Sequence, residues 1–208
     1  MVEIRYPPPT RNISPQWFEL KSGTTIQRIF DPTSYGATAT GFRHYGPLSR
    51  FDHQQGTKPR LDKERGIIYA GLNLSCCLIE VFGDDETIRI RHQQIAFITL
   101  RQNLKLLDLR ESGSWDAGSV AAMASDGRRK LTQSWSRYFY ENTDLYGKLD
   151  GLIFNNAHDS SEAIVLYERA SSQLLSADIL VLNLNDPVIR EPILAIANRL
   201  NLLVEIEF

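Results

Sequence analysis

One arginine, one tyrosine and one glutamate in the segment 41–85 have types and positions suited to chemistry on an anionic substrate. Arg50 lies in a loop, Tyr69 falls in the apolar run GIIYAG, and Glu80 falls in the run LSCCLIEVF. A planar guanidinium suits phosphate oxygens, and an ionised carboxylate can stabilise a cation that develops during a reaction. The three residues together suggest a site for an anionic substrate that carries a reactive sugar.

Each of these residues also has a plain structural interpretation, and both interpretations stay open at this point. Arg50 is followed by Phe51 and Asp52, so a surface ion pair between Arg50 and Asp52 would explain it. Tyr69 could be an aromatic residue at the edge of the core. Glu80 borders the apolar face of a helix, where a carboxylate is costly unless it has a partner or a task. A structural ion pair explains Glu80 about as well as catalysis does.

The elements that must position these residues follow from the local pattern. The run 66–70 predicts a short buried strand that ends near Tyr69. Asn73 can cap a helix that ends at Gly83. The helix is predicted to bury one face, formed by Leu74, Cys77, Leu78 and Val81, which places Glu80 at the border of that face.

The rest of the chain alternates strands and helices without a repeat or an internal linker. Further strands are predicted at 24–30, 87–91, 94–100, 104–109, 151–155, 163–167, 178–184 and 202–207, and further helices at 116–125, 130–141 and 187–200. The proline-rich residues 1–22 are predicted to form an N-terminal arm, and residues 23–208 a single α+β domain of mixed sheets with peripheral helices around a central cleft.

Composition excludes several classes of function. The 208 residues carry a net charge of −2 with acidic and basic residues interspersed, which argues against direct nucleic-acid binding. Cys76 and Cys77 are adjacent and the four histidines are scattered, so no metal site is expected. Because no apolar run approaches ~18 residues and no signal region is present, we expect no membrane span and a cytoplasmic location.

The order of the motifs resembles the RES-domain family, the toxin components of bacterial RES–Xre toxin–antitoxin systems. The run SRFD around Arg50 is similar to the family's glycine-arginine-phenylalanine/tryptophan-asparagine signature, and the segment from IIYAG to LIE matches its strand and helix that end in glutamate. Arg28 stands at the family's early arginine, and Asn156 stands where the family has a serine. Similar segments follow in order at 106–109, 132–137, 150–154 and 163–169.

The resemblance implies a fold similar to the diphtheria-toxin-like ADP-ribosyltransferases, with NAD⁺ bound in a central cleft as substrate. The implied activity is that of an NAD⁺-consuming toxin, which breaks the nicotinamide–ribose bond by phosphorolysis or hydrolysis. Glu80 and Arg50 would be catalytic. Arg28 and Arg50 would hold the pyrophosphate, Tyr69 would lie beside the nicotinamide, and Asn156 would bind the ribose.

Two other functions stay open for the same site. The chain could transfer ADP-ribose to a protein rather than to water or phosphate, or it could bind NAD⁺ or a partner without catalysis. The resemblance also implies an Xre-type antitoxin as partner, which would make any contact with DNA.

Overall fold

The computed structural model of the chain describes residues 4–125 and 127–206. Residues 1–3 of the predicted arm and residues 207–208 at the end of the predicted domain lie outside the described residues. The strands are β1 (Trp17–Leu20), β2 (Thr25–Phe30), β3 (Tyr45–Gly46), β4 (Arg60–Leu61), β5 (Ile67–Gly71), β6 (Thr87–Ile90), β7 (Gln94–Thr99), β8 (Leu104–Asp108), β9 (Gly151–Asn155), β10 (Glu162–Tyr167), β11 (Asp178–Asn183) and β12 (Leu203–Ile206). The α-helices are α1 (Leu74–Phe82), α2 (Gly113–Asp116), α3 (Arg129–Glu141), α4 (Thr143–Tyr146), α5 (Ser171–Leu175) and α6 (Pro187–Leu200).

Eight of the strands form one mixed sheet, in the order β1-β8-β9-β10-β5-β2-β7-β11. Its neighbouring strands run antiparallel except for the parallel pair β8 and β9. Two small sheets pair β3 with β4 and β6 with β12. Helices lie at the periphery of a mixed sheet, which confirms the predicted α+β class.

Side chains that alternate along the strands divide the core between the two faces of the large sheet. On β5, Ile67 and Tyr69 pack with the aromatic residues of α3, whereas Ile68 and Ala70 pack in a second cluster on the opposite face. The strands β2 and β5 pair only at Gln27 and Gly71 and then diverge. The divergence leaves room for a cavity in the middle of the sheet.

Helix α1 forms where it was predicted, and one of its faces packs against α6. The Asn73 side chain accepts a hydrogen bond from the backbone N–H of Cys76 at 2.8 Å and so caps the helix. Leu78 and Phe82 of α1 belong to a third core cluster that includes Ile189 and Ile193 of α6.

Three of the sequence predictions differ from the structure. The predicted helix 116–125 is instead the single turn α2 and a 3₁₀ helix at Ala121–Ser125, because Gly118 between them has a φ of +100°, a left-handed conformation that ends the helix. Trp17–Leu20, within the predicted arm, forms strand β1 and pairs with β8. Val81 is 48% exposed rather than part of the buried face of α1.

Candidate active site

A cavity of about 530 Å³ opens where β2 and β5 diverge, between α1 and the first residues of α3. The position follows from the fold, because both helices pack on the same face of the sheet and leave its centre uncovered between them. The residues that line the cavity are Arg28, Ile29, Arg43, Ser49, Arg50, Tyr69, Ala70, Gly71, Cys76, Cys77, Glu80, Val81, Asp84, Gly127, Arg129, Phe154, Ala157, His158 and Ala163.

Arg50 and Glu80 both line this cavity and lie close together. The Nη2 atom of Arg50 lies 3.7 Å from Oε1 of Glu80, and the two side chains are 20% and 27% exposed. The distance allows an electrostatic attraction but is longer than a hydrogen bond. The structure therefore brings together the cation and the carboxylate that the sequence pattern singled out.

Glu80 is held in an environment that is unusual for a carboxylate. Its Oε1 atom is buried and accepts no hydrogen bond from the part of the chain that the structure describes. Burial raises the pKa of Glu80 above its ordinary value, although the positive charge of Arg50 and the nearby His158 oppose this effect. A buried acceptor without a donor and a perturbed carboxyl group inside a cleft are both typical of a functional site.

The surface ion pair between Arg50 and Asp52, one of the two interpretations of Arg50 left open by the sequence, does not form. The Asp52 carboxylate is fully buried and binds Arg43, whose Nη2 atom donates to both carboxylate oxygens at 2.8 Å. Residues 48–52 curl around this carboxylate, so the Arg50 side chain faces the cavity and Glu80 instead of Asp52. Asp52 is therefore not the ion-pair partner of Arg50, which pairs with Glu80 instead.

Tyr69 lines the cavity, and its hydroxyl group is already used within the protein. The hydroxyl donates to Oδ1 of Asp52 at 3.0 Å and accepts a hydrogen bond from the backbone N–H of Phe51 at 3.0 Å. Burial and then the charge of Asp52 raise the pKa of Tyr69 well above its ordinary value, so the phenol stays protonated. The ring, rather than the hydroxyl, is the part of Tyr69 that the site can offer to a ligand.

Arg28 also lines the cavity, but part of its guanidinium group supports the neighbouring loop. Its Nη1 atom donates to the carbonyl oxygens of Thr38, Ala39 and Gly41. Burial, together with the charge of Arg43, lowers the pKa of Arg28 to about 10, which keeps the group cationic at neutral pH. Its predicted role in holding a pyrophosphate stays a prediction.

Asn156 is the predicted site residue that does not line the cavity. Its side chain is buried, its amide donates to Asp159 and Ser161, and its oxygen accepts from the backbone N–H groups of His158 and Asp159. These bonds shape the loop that carries His158 to the cavity wall. The predicted contact of Asn156 with a ribose therefore stays a prediction, and the hydrogen bonds show an organising role.

Sequence reasoning did not identify four further charged or titratable residues of the cavity, namely Arg43, Asp84, Arg129 and His158. A weak signal for Arg129 is the run GRRK, which places cations at the N-terminal end of α3, where the helix dipole disfavours them. Four arginines and two carboxylates, Glu80 and Asp84, line the cavity, so an anionic ligand is favoured although the whole chain has a net charge of −2.

Residues 4–125 and 127–206 contain no group of three or more His, Cys, Asp or Glu side chains placed to hold a metal ion. Over the same residues, no helix combines the length and apolar character that crossing a membrane requires.

The comparison with protein families agrees with the order of motifs along the chain. A family model described as the RES domain matches residues 25–184, which is most of the chain and includes both walls of the cavity. No curated protein matches the chain.

Proposed function

Because the chain belongs to the RES domain family, we propose that it consumes NAD⁺ by breaking the bond between nicotinamide and ribose. The observation that supports this proposal best is the buried Oε1 atom of Glu80, which accepts no hydrogen bond from the described residues and lies 3.7 Å from the guanidinium of Arg50 in a cavity rich in arginine. A site of this composition suits a substrate with a negative pyrophosphate at one end and a positive nicotinamide ring at the other.

The arginines explain how the anionic part of the substrate would be held. Arg50 and Arg129 line the cavity, and planar guanidinium groups match the geometry of phosphate oxygens. Arg28 contributes positive charge from the β2 side, while its Nη1 atom holds the adjoining loop. The pyrophosphate would compete with Glu80 for Arg50, which the 3.7 Å separation of the pair permits.

Glu80 is suited to the bond-breaking step. Departure of nicotinamide leaves positive charge on the ribose, as in glycoside hydrolysis. An ionised carboxylate aimed at that position stabilises the charge, and it does so more strongly because the cavity excludes part of the solvent. The raised pKa of Glu80 falls again when a positive group approaches, so a bound nicotinamide ring favours the ionised form.

The direct test is release of nicotinamide from NAD⁺ by the purified protein, with and without inorganic phosphate. Phosphate-dependent release indicates phosphorolysis, and release that phosphate does not change indicates hydrolysis. Transfer of labelled ADP-ribose to a protein would instead indicate protein ADP-ribosyltransferase activity. Absence of nicotinamide release from a folded sample under all these conditions would refute the proposal.

Growth and cellular NAD⁺ connect this chemistry to the toxin role that the family resemblance implies. Expression of the wild type should lower cellular NAD⁺ and slow growth, whereas the Glu80→Ala variant at the same expression level should do neither. The Xre-type antitoxin stays a prediction, and co-expression that restores growth would test it.

A further inference from the structure

Asp52 is a buried carboxylate at the centre of the loop that carries Arg50. It is 0% exposed, and it accepts two hydrogen bonds from Arg43 at 2.8 Å and one from the Tyr69 hydroxyl at 3.0 Å. The backbone N–H groups of Leu48 and Ser49 donate to its Oδ2 atom at 2.5 and 3.0 Å. Both carboxylate oxygens are therefore occupied by donors from three separate parts of the chain.

These hydrogen bonds fix the backbone on both sides of Arg50. The N–H groups of Leu48 and Ser49 precede it, and the backbone N–H of Asp52 donates back to the carbonyl oxygen of Ser49 at 3.2 Å. On the other side, the backbone N–H of Phe51 donates to the Tyr69 hydroxyl, which is itself bound to Asp52. The backbone from which the Arg50 side chain leaves the loop is thus held through one carboxylate.

In this chain the arrangement uses both the charge and the two acceptor oxygens of Asp52. An asparagine side chain has one acceptor oxygen and one NH₂ group, which only donates. In place of Asp52, its NH₂ group would face donors from Arg43, Tyr69 or the backbone, and the attraction to Arg43 would be lost. Some of these donors would then be buried without acceptors, which is costly and would shift the loop.

From this geometry we infer that Asp52 is a positioning residue, which holds Arg50 at the distance from Glu80 that the reaction needs. The inference rests on the proposed function, because it assigns Asp52 to the same site. It also explains why a buried carboxylate stands close to a site for an anion: its charge is directed at Arg43 and at the backbone of the loop.

A double-mutant cycle with Arg50 tests the inference. We expect Asp52→Asn to lower kcat/KM for nicotinamide release by about 10- to 100-fold, because small misplacements of a catalytic group have effects of this size. In the Arg50→Ala background the same substitution should change kcat/KM by about twofold or less, since the residue that Asp52 positions is already absent. An equal loss in both backgrounds, or an Asp52→Asn variant as active as wild type, would overturn the inference.

Asp62 provides a matched control. It is also a buried carboxylate, 9% exposed, that accepts hydrogen bonds from backbone N–H groups, in this case those of Gln55, Glu64 and Arg65. It does not line the cavity. We expect Asp62→Asn to keep kcat/KM within about twofold of wild type. Thermal unfolding should be measured for every variant, to establish that each is folded. A loss with Asp62→Asn as large as with Asp52→Asn would show a general effect of buried carboxylates and overturn the inference.

Calorimetric binding of ADP-ribose separates this inference from the proposed function. If the wild type releases no nicotinamide, the proposed function fails, and binding then decides the role of Asp52. We expect Asp52→Asn to weaken ADP-ribose binding about tenfold when Arg50 is present and to leave it unchanged in the Arg50→Ala background. A wild type that neither releases nicotinamide nor binds ADP-ribose would overturn both.

Discussion

Replacement of Glu80 by glutamine should make the protein more stable and much less active. The two side chains have nearly the same shape, so the change removes the charge and leaves the packing of α1 intact. Burial of this carboxylate raises its pKa, which means that the folded protein holds the ionised form less well than water does. Removing the charge relieves that cost and also removes the group proposed to stabilise the ribose cation.

The size of the stability gain follows from two opposing contributions. Charges 3.7 Å apart, as in the pair of Arg50 and Glu80, attract by about 4 kcal/mol at an effective dielectric constant of about 20 and by about 1 kcal/mol in water. Because both side chains are partly exposed, we place the attraction at about 1–2 kcal/mol. The raised pKa of Glu80 shows that the cost of burial is larger than this attraction. We therefore expect Glu80→Gln to stabilise the fold by about 0.5–1 kcal/mol, or about 1–4 °C in Tm.

The gain in stability should depend on pH in a defined direction. The folded pKa of Glu80 lies above the ordinary value of 4.5, so the cost is fully present above the folded pKa and disappears below 4.5, where the carboxyl group is protonated in both states. At pH 7 the Tm of the Glu80→Gln variant should be higher than that of the wild type. The two Tm values should converge as the pH falls below 4.5. Nicotinamide release at pH 7 should fall by about 10²- to 10³-fold, the usual effect of removing one electrostatic stabiliser.

Glu205 supplies the control for this experiment. Glu205 is an exposed residue of β12 that does not line the cavity. Its carboxylate pairs with Arg89 of β6 at 3.0 Å. We expect Glu205→Gln to leave activity unchanged and to give no gain in stability, because exposed ion pairs contribute about 0–1 kcal/mol. A Glu80→Gln variant that is less stable than wild type at pH 7, or one that retains its activity, would refute the reasoning.

Three further changes test the surroundings of the site. Asn73→Ala removes the cap of α1 and should cost about 1 kcal/mol in chemical denaturation; an unchanged midpoint would contradict the capping role. Gly71→Ala places a Cβ atom 3.0 Å from the Cβ atom of Cys76. We expect it to lower the free energy of unfolding by about 1–3 kcal/mol and to reduce nicotinamide release. Full activity at wild-type stability would contradict the close packing. Burial lowers the pKa of His53 below 6.5, so the unfolded chain binds the extra proton and stability should fall as the pH drops below 6.5. This fall, measured by denaturation between pH 6.5 and 5, should be smaller in His53→Gln, and an identical pH dependence would exclude His53 as its source.

Elements with strong local signals could be predicted from the sequence nearly to the residue. Helix α6 was predicted at 187–200 because Asp186 caps it and Pro187 starts it, and both features are present. Strand β9 was predicted with its observed bounds, since a buried run between polar loops has few alternatives. Helix α3 could be predicted to within one residue at its start, because its aromatic residues recur at helical spacing.

Features that depend on contacts between distant segments could not be predicted in the same way. Strand β1 exists because Trp17–Leu20 finds a pairing partner in β8, more than eighty residues later. A pair between Asp52 and the neighbouring Arg50 was one of the alternatives open from the sequence, but a loop folded around the carboxylate directs it to Arg43. The side chain of Asn156 turns into its own loop, where Asp159 and Ser161 satisfy it, and sequence position alone does not show this.

The support of α1 has a consequence for how relatives of this chain could differ. The family match ends at residue 184, yet the underside of the helix that carries Glu80 rests on Ile189 and Ile193 of α6. Arg199 of the same helix donates to the hydroxyl of Ser75, the second residue of α1, at 2.7 Å. Part of the packing of α1 thus lies outside the matched region, while Ile88, Ile90 and Ile95 within that region form the rest of the same cluster. We therefore expect substitutions at Ile189 or Ile193 to loosen α1 and shift Glu80, although neither isoleucine lines the cavity.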